Sequence, residues 1–407
     1  MEAAPCISRI PLDQKHHSLF RINADGKPAE FGELMVLDGR GSRVSPTRRS
    51  DWLRDGFADG RFPGVPWFLD DLRPQGFLGR HLARRSSRDF GLPSEIDLWD
   101  DDAVLTALLH YGENAPGNFV LGDGALERFL QMEPDITPVG SRAKRYAELA
   151  VTVLSGGAEG PWVGGEQPKF TACVADESRD LRHVIVKFSD SIEKGPAARR
   201  WADLLICEHI AGELLAEQQG GGAQTELVWS QGQLCLEVTR FDRVGARGRR
   251  GSVTLAAWSD AHDGERDGWP NAMERMHQGG WICEEAREQV KLRWWFGRMI
   301  ANTDMHFGNL SFFLDDVLPL QLTPSYDMLP MLYRPASSGD VVAREFRITT
   351  PTPADLFYWN TAAVWAELYW QRVAQYDEIS SDFRRVAESN GEATSRMRQR
   401  FGPDGLS

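Results

Sequence analysis

Apolar residues recur at helical spacing along several stretches of the chain. Between Glu284 and Met299 the positions Leu292, Trp295, Phe296, Met299 and Ile300 fall three and four apart, which predicts an amphipathic helix ending near residue 300. Ala197 to Glu217 repeats the pattern, with Trp201, Leu204, Leu205, Ile210 and Leu214 on one side. Shorter helical patterns cover Trp99 to Tyr111, Asp123 to Leu130 and Ser141 to Leu154, and two more run over Thr361 to Ala374 and Ile379 to Met397. Elsewhere the pattern is that of strands. Phe20 to Asn23, an Asp25-Gly26 turn and Phe31 to Leu37 predict a hairpin. Two short strands are predicted over Phe170 to Val174 and Arg182 to Ser189, and a second hairpin over Thr225 to Trp229 and Leu234 to Val238. From Gly56 to Arg80, apolar pieces are broken by Gly and Pro, which suits a small irregular β-rich subdomain.

A chain of 407 residues is too long for one compact core, so two or three lobes are expected. A net charge of −13 argues against a general nucleic-acid coat. The five cysteines, Cys6, Cys173, Cys207, Cys235 and Cys283, contain no C-x-x-C pair, which points to reduced thiols and away from structural zinc. No apolar run is long enough to span a bilayer and the N-terminus carries no apolar signal core, so a cytoplasmic location is expected. The fourteen tryptophans are dispersed, as packing residues are, and His16-His17 reads as part of a solvated tail.

The densest chemistry follows the helix that ends near residue 300. Asp304 and Asn309 are five residues apart in the segment Asn302-Thr303-Asp304-Met305-His306-Phe307-Gly308-Asn309, and Asp327 lies eighteen residues further on. A carboxylate and an amide so spaced suit phosphoryl transfer, one taking the acceptor's proton and the other holding a metal; Asp327 suits a second magnesium ligand. Each residue alone has an ordinary account as a cap, a turn or a loop carboxylate, but their order together favours chemistry. Upstream, Gly164 and Gly165 lie in a glycine-rich stretch whose backbone N–H groups can approach phosphates, although its spacing is neither a Walker A nor a dinucleotide fingerprint. Lys187 ends a β-branched run, where kinases place the lysine that contacts the nucleotide phosphates. Glu208, twenty-one residues later, is a candidate ion-pair partner for it, and Asp203 competes for that role. Arg247, Arg249 and Arg250 surround Gly248 in what reads as a solvated basic loop.

The motifs Asn302-Thr303-Asp304-Met305-His306-x-x-Asn309-Leu310-Ser311, Pro324-x-Tyr326-Asp327-Met328-Leu329, Gly165-x-Gln167-x-Lys169 and Arg240-Phe241-Asp242-Arg243 together resemble the HipA family of bacterial serine/threonine kinases, toxin components of toxin–antitoxin modules. The resemblance implies an α+β, two-lobed protein-kinase-like fold. A β-rich subdomain is expected over residues 1–95, a nucleotide-binding lobe over 96–243 and a helical catalytic lobe over 244–407. It implies ATP and Mg²⁺ as cofactors. Asp304 takes the catalytic-base role, His306 orients its loop, and Asn309 and Asp327 hold the metal. Lys187 contacts the phosphates, which Gly164, Gly165, Gln167 and Lys169 cover. The segment from Glu237 through Thr239 to Phe241 becomes the adenine hinge, with Asp242 and Arg243 structural. Trp162 stands where family members often carry an autophosphorylated serine, which argues against autoinhibition by that route. The implied partners are a protein substrate, with aminoacyl-tRNA synthetases the best-known in the family, and a DNA-binding antitoxin. Two other classes fit the same residues: a small-molecule kinase on this scaffold, and a nucleic-acid-directed toxin or binding protein that uses the arginine loop.

Overall fold

The computed structural model describes residues 16–37, 41–155, 164–165, 167–178, 180–218 and 221–401; Cys6, Trp162 and Glu166 lie outside them. The predicted hairpin forms: β1 (His16–Ile22) and β2 (Pro28–Leu37) pair antiparallel, so His16 and His17 open a strand and are not a tail. The sheet continues through β3 (Gly41–Pro46) and β4 (Arg61–Phe62). Its fifth strand, β5 (Phe119–Leu121), pairs with Leu19 to Arg21 of β1, so the N-terminal unit runs well past the boundary expected at residue 95. Four helices belong to this unit: α1 (Trp67–Asp70), α2 (Gly76–Phe90), α3 (Asp101–Tyr111) and α4 (Asp123–Gln131). Helix α2 occupies part of what the Gly/Pro punctuation marks as irregular β structure. It buries Leu78, Gly79, Ala83 and Ser86, with Phe77 and Leu82 half-buried against the core, a short apolar face that begins inside the Gly- and Pro-punctuated stretch.

The second sheet runs β6 (Ile136–Pro138), β7 (Lys169–Ala175), β8 (Leu181–Phe188), β10 (Gln233–Thr239), β9 (Thr225–Ser230) in spatial order. Helix α5 (Arg142–Leu154) covers one face, where Tyr146, Ala150 and Val153 pack on Phe170, Val184 and Val186. Helix α6 (Pro196–Glu217) packs in the main core with Leu234, Leu236 and Val238, which project from the other face.

The remainder is mostly helical. The pairs β11 (Arg243–Val244) with β12 (Gly248–Arg249), and β13 (Ser252–Thr254) with β14 (Ser311–Phe313) and β15 (Gln321–Leu322), join helices α7 (Leu255–His262), α8 (Trp269–Gln278), α9 (Glu284–Met299), α10 (Leu356–Gln375) and α11 (Ser381–Phe401). Trp370, on α10, donates its indole N–H to the Met299 carbonyl at 3.0 Å and so fixes the end of α9 where the candidate loop begins. The basic loop is not solvated. Arg249 is 3 % exposed, and Arg247 donates to the carbonyls of Phe129, Leu130 and Met132, so these residues dock the loop on the N-terminal unit. That unit also rests on the C-terminal helices. Trp67 meets Trp281 edge to face, Phe57 meets His262, and the Arg54 guanidinium lies 4.3 Å above Trp281. Four thiols, Cys173, Cys207, Cys235 and Cys283, are free.

Candidate active site

Strand pairing decides which side chains can converge. Lys169 of β7 and Leu236 of β10 stand directly opposite Lys187 of β8, so the two lysines project from the face against which α6 packs. Helix α6 brings Glu208 beneath them. Lys187, 5 % exposed, donates from Nζ to Glu208 Oε1 at 2.5 Å and also to Asp327 Oδ1. Burial works against the ammonium, but Asp327 and Glu208 outweigh it and hold its pKa above the ordinary lysine value. Burial likewise pushes Asp327 up, but Lys187 and Lys169 pull the carboxyl below its usual range. For Glu208 burial wins, and its carboxyl stands above the ordinary value. The competitor Asp203 is engaged elsewhere, accepting from the Ser380 N–H at 2.8 Å and the Ser380 hydroxyl at 2.5 Å.

The loop after α9 is tied to Asp327 by a residue for which the sequence suggested no role. Asn302 accepts the Asp304 N–H on Oδ1 at 3.0 Å and donates from Nδ2 to the Asp327 carbonyl at 3.3 Å. Asn309 donates from Nδ2 to the Asp304 carbonyl at 2.8 Å, which leaves its amide oxygen as the end suited to a cation. His306 accepts the Gly308 N–H on Nδ1 at 3.1 Å, and its carbonyl accepts the Trp269 indole. Tyr326 donates to the Gly308 carbonyl at 2.8 Å and accepts from the Ser311 hydroxyl. Ala301 and Asp327 both hold positive φ, 59° and 54°, a conformation that costs non-glycine residues of order 1 kcal/mol. Two such positions flanking one polar cluster are what a functional site tolerates. Asn302 and Tyr326 were legible only as motif letters, because their work is to join two loops.

Over the lysines, Lys169 Nζ donates to the Gly164 carbonyl at 2.5 Å. The N-terminal unit reaches the same place, since the Phe77 N–H of α2 donates to the Gly165 carbonyl at 2.9 Å. Gly76 sits there at φ +64°, and a Cβ on it would lie 2.5 Å from the Gly165 oxygen. Gly76→Val is therefore expected to displace the glycine stretch and raise the apparent ATP KM several-fold. Circular dichroism should show the fold kept, and an unchanged KM would break the link.

The hinge expected over Glu237 to Phe241 is corrected in part. Glu237 and Thr239 alternate to the face opposite Lys187. Glu237 is fully buried there, accepting from Arg142, Arg182 and the Tyr146 hydroxyl, and the Thr239 and Arg240 N–H groups go to the Gln224 and His183 carbonyls. Glu237 is thus a structural anchor. Tyr146→Phe should cost about 1–3 kcal/mol in urea unfolding by leaving that carboxylate short of a donor, with phosphotransfer unchanged. Phe241 does reach the site, 5.8 Å from Tyr326 between ring centroids. Asp242 is buried between Arg240 and Arg243, a structural pairing as expected.

The cluster unites Lys187, Lys169, Glu208 and Asp327, with Asp304, His306 and Asn309 on the adjoining loop. Its donors fit a triphosphate and a hard cation. Asp327 and Asn309 offer oxygens, and Gln167 Nε2 and Glu208 Oε2 are buried without a hydrogen-bond partner among the described residues. Among the described residues no three His, Cys, Asp or Glu side chains cluster as a metal cage.

Residues 162–399 match the family model of the HipA-like C-terminal domain, and residues 13–130 match that of the YjjJ-like toxin, middle domain. Toxin YjjJ of Escherichia coli K12 is 35 % identical over 401 residues, covering 97 % of this chain and 86 % of that one. The chain belongs to the HipA-like toxin family. The fold agrees: HipA of Shewanella oneidensis MR-1, solved with HipB and operator DNA, superposes with a TM-score of 0.59 at 16 % identity, over 96 % of this chain and 99 % of that one. The α+β, two-lobed kinase-like architecture is therefore that of the HipA-like proteins. Every residue of the cluster lies within their C-terminal domain. No helix among the described residues is long and apolar enough to cross a membrane.

Proposed function

We propose that this HipA-like toxin transfers the γ-phosphoryl group of ATP to a serine or threonine hydroxyl on a protein, and that this arrests growth. The observation that carries the reading is Lys187 joined to both Glu208 and Asp327 while Asn302 joins Asp327 to Asp304. An ammonium has three donors; two hold the carboxylates and the third is left for the phosphates. Asp304 accepts the proton of the attacking hydroxyl, and His306 shapes the loop through Gly308. Lys169, Gly164, Gly165 and Gln167 cover the phosphates, and Phe241 packs on the base. Asp327 and Asn309 would hold Mg²⁺, which when bound offsets the charge of the triphosphate.

The neighbouring HipA crystallises with HipB and operator DNA, which supports a DNA-binding antitoxin as partner here and action in the cytoplasm. The test is transfer from γ-labelled ATP with Mg²⁺ into a cell lysate. Label is expected on a protein band, absent with Asp304→Asn; label confined to small metabolites would replace a protein acceptor with a small molecule.

A further inference from the structure

The sheet that carries Lys187 borders a second cavity, of about 660 Å³, that shares no residue with the cluster described above. It lies between α5, β7, the loop after α4 and the segment from Arg240 to Arg249. Its wall carries five arginines against two carboxylates, Glu133 and Asp135, and Asp135 is already paired with Arg145 at 2.6 Å. Arg240 and Arg243 share the buried Asp242, and Arg247 is held by backbone carbonyls. Among the described residues Arg249 makes no ion pair with a carboxylate. One nitrogen donates to the Glu113 carbonyl, Nη1 has no partner among the described residues, and the Phe129 ring lies 4.7 Å from the guanidinium. Burial and the Arg240 charge outweigh the Asp242 and Glu113 carboxylates and bring its pKa down to about 10.

A buried guanidinium with an unsatisfied N–H and no paired carboxylate is unfavourable, and a bound anion would offset that. The rest of the wall is mixed: Phe129, Phe170, Leu149 and Val153 supply an apolar part, Thr137, Thr152, Thr171 and His183 a polar one, and the volume is that of a small-ligand site. We propose that this cavity binds an organic phosphate with an aromatic or apolar body, its phosphate on Arg249 and its body between Phe129 and Leu149. Guanidinium–phosphate pairing supplies the anchor and the apolar part of the wall selects for an organic ester over the free ion.

The test is calorimetric titration of the full chain with phenyl phosphate, with phenol and inorganic phosphate as the two half-ligands. Phenyl phosphate should bind more tightly than either, by at least about tenfold, and equally well with Mg²⁺ and a non-hydrolysable ATP analogue present. Arg249→Gln should weaken it by about tenfold or more. Ala246→Trp, which narrows the cavity from its exposed rim and leaves every arginine in place, should do the same. No binding of phenyl phosphate at millimolar concentration, equal binding of phenol, full binding in folded Ala246→Trp, or displacement by the ATP analogue would each overturn the proposal.

Discussion

Lys187→Met is expected to lower folding stability by about 3–5 kcal/mol and to abolish phosphoryl transfer together, because one ammonium serves both. Its removal leaves the buried Glu208 and the half-buried Asp327 without the charge that offsets their desolvation. Burial already holds Glu208 above its ordinary value, so in the variant its carboxyl should bind a proton more readily still. A raised folded-state pKa contributes stability that is present at low pH and lost as pH rises through that value. Lys187→Met should therefore gain stability as pH is lowered from neutral. The wild type should show the opposite contribution from Asp327, whose depressed pKa gives stability that is lost as pH falls through it. Urea denaturation across pH reads both. Adding Glu208→Gln should recover part of the stability of Lys187→Met and none of its activity. Recovery of transfer in that double variant would remove Lys187 from the chemistry.

Asp304→Asn should behave in the contrary way, with transfer falling by about 10²–10⁴-fold and stability unchanged to within about 0.5 kcal/mol. Among the described residues the Asp304 carboxylate makes no hydrogen bond; the backbone N–H and carbonyl are what Asn302 and Asn309 hold. The loop should keep its shape and ATP its affinity, which a fluorescent nucleotide titration would report. A variant that loses both nucleotide affinity and transfer would assign Asp304 to holding the loop, and the proton acceptor would have to be sought elsewhere.

Much of this was written locally in the chain. Helices α6 and α9 repeat apolar residues at the helical period over many turns, and Lys187 closes a strand of β-branched residues. Asp304, Asn309 and Asp327 were legible because they sit in two short motifs. What escaped depended on distance or parity. Strand β5 joins a partner about a hundred residues earlier, and three residues carry no signal of that. Helix α2 begins inside a stretch punctuated by Gly and Pro. Whether Glu237 or its neighbours meet the nucleotide turns on strand alternation, and the choice between Glu208 and Asp203 turns on Ser380, far along the chain. Arginines beside glycine look wet in a sequence; here backbone carbonyls of another unit receive them.

The aromatic seam between Phe57 or Trp67 and His262 or Trp281 also bears on modularity. A fragment cut to begin after α4 would bare indole rings that the front third now covers and would forfeit the hold of α2 on the glycine stretch. Such a truncation should aggregate, so the remaining two thirds should not stand alone, and lesions at the front of the chain should silence the toxin as surely as lesions among its carboxylates.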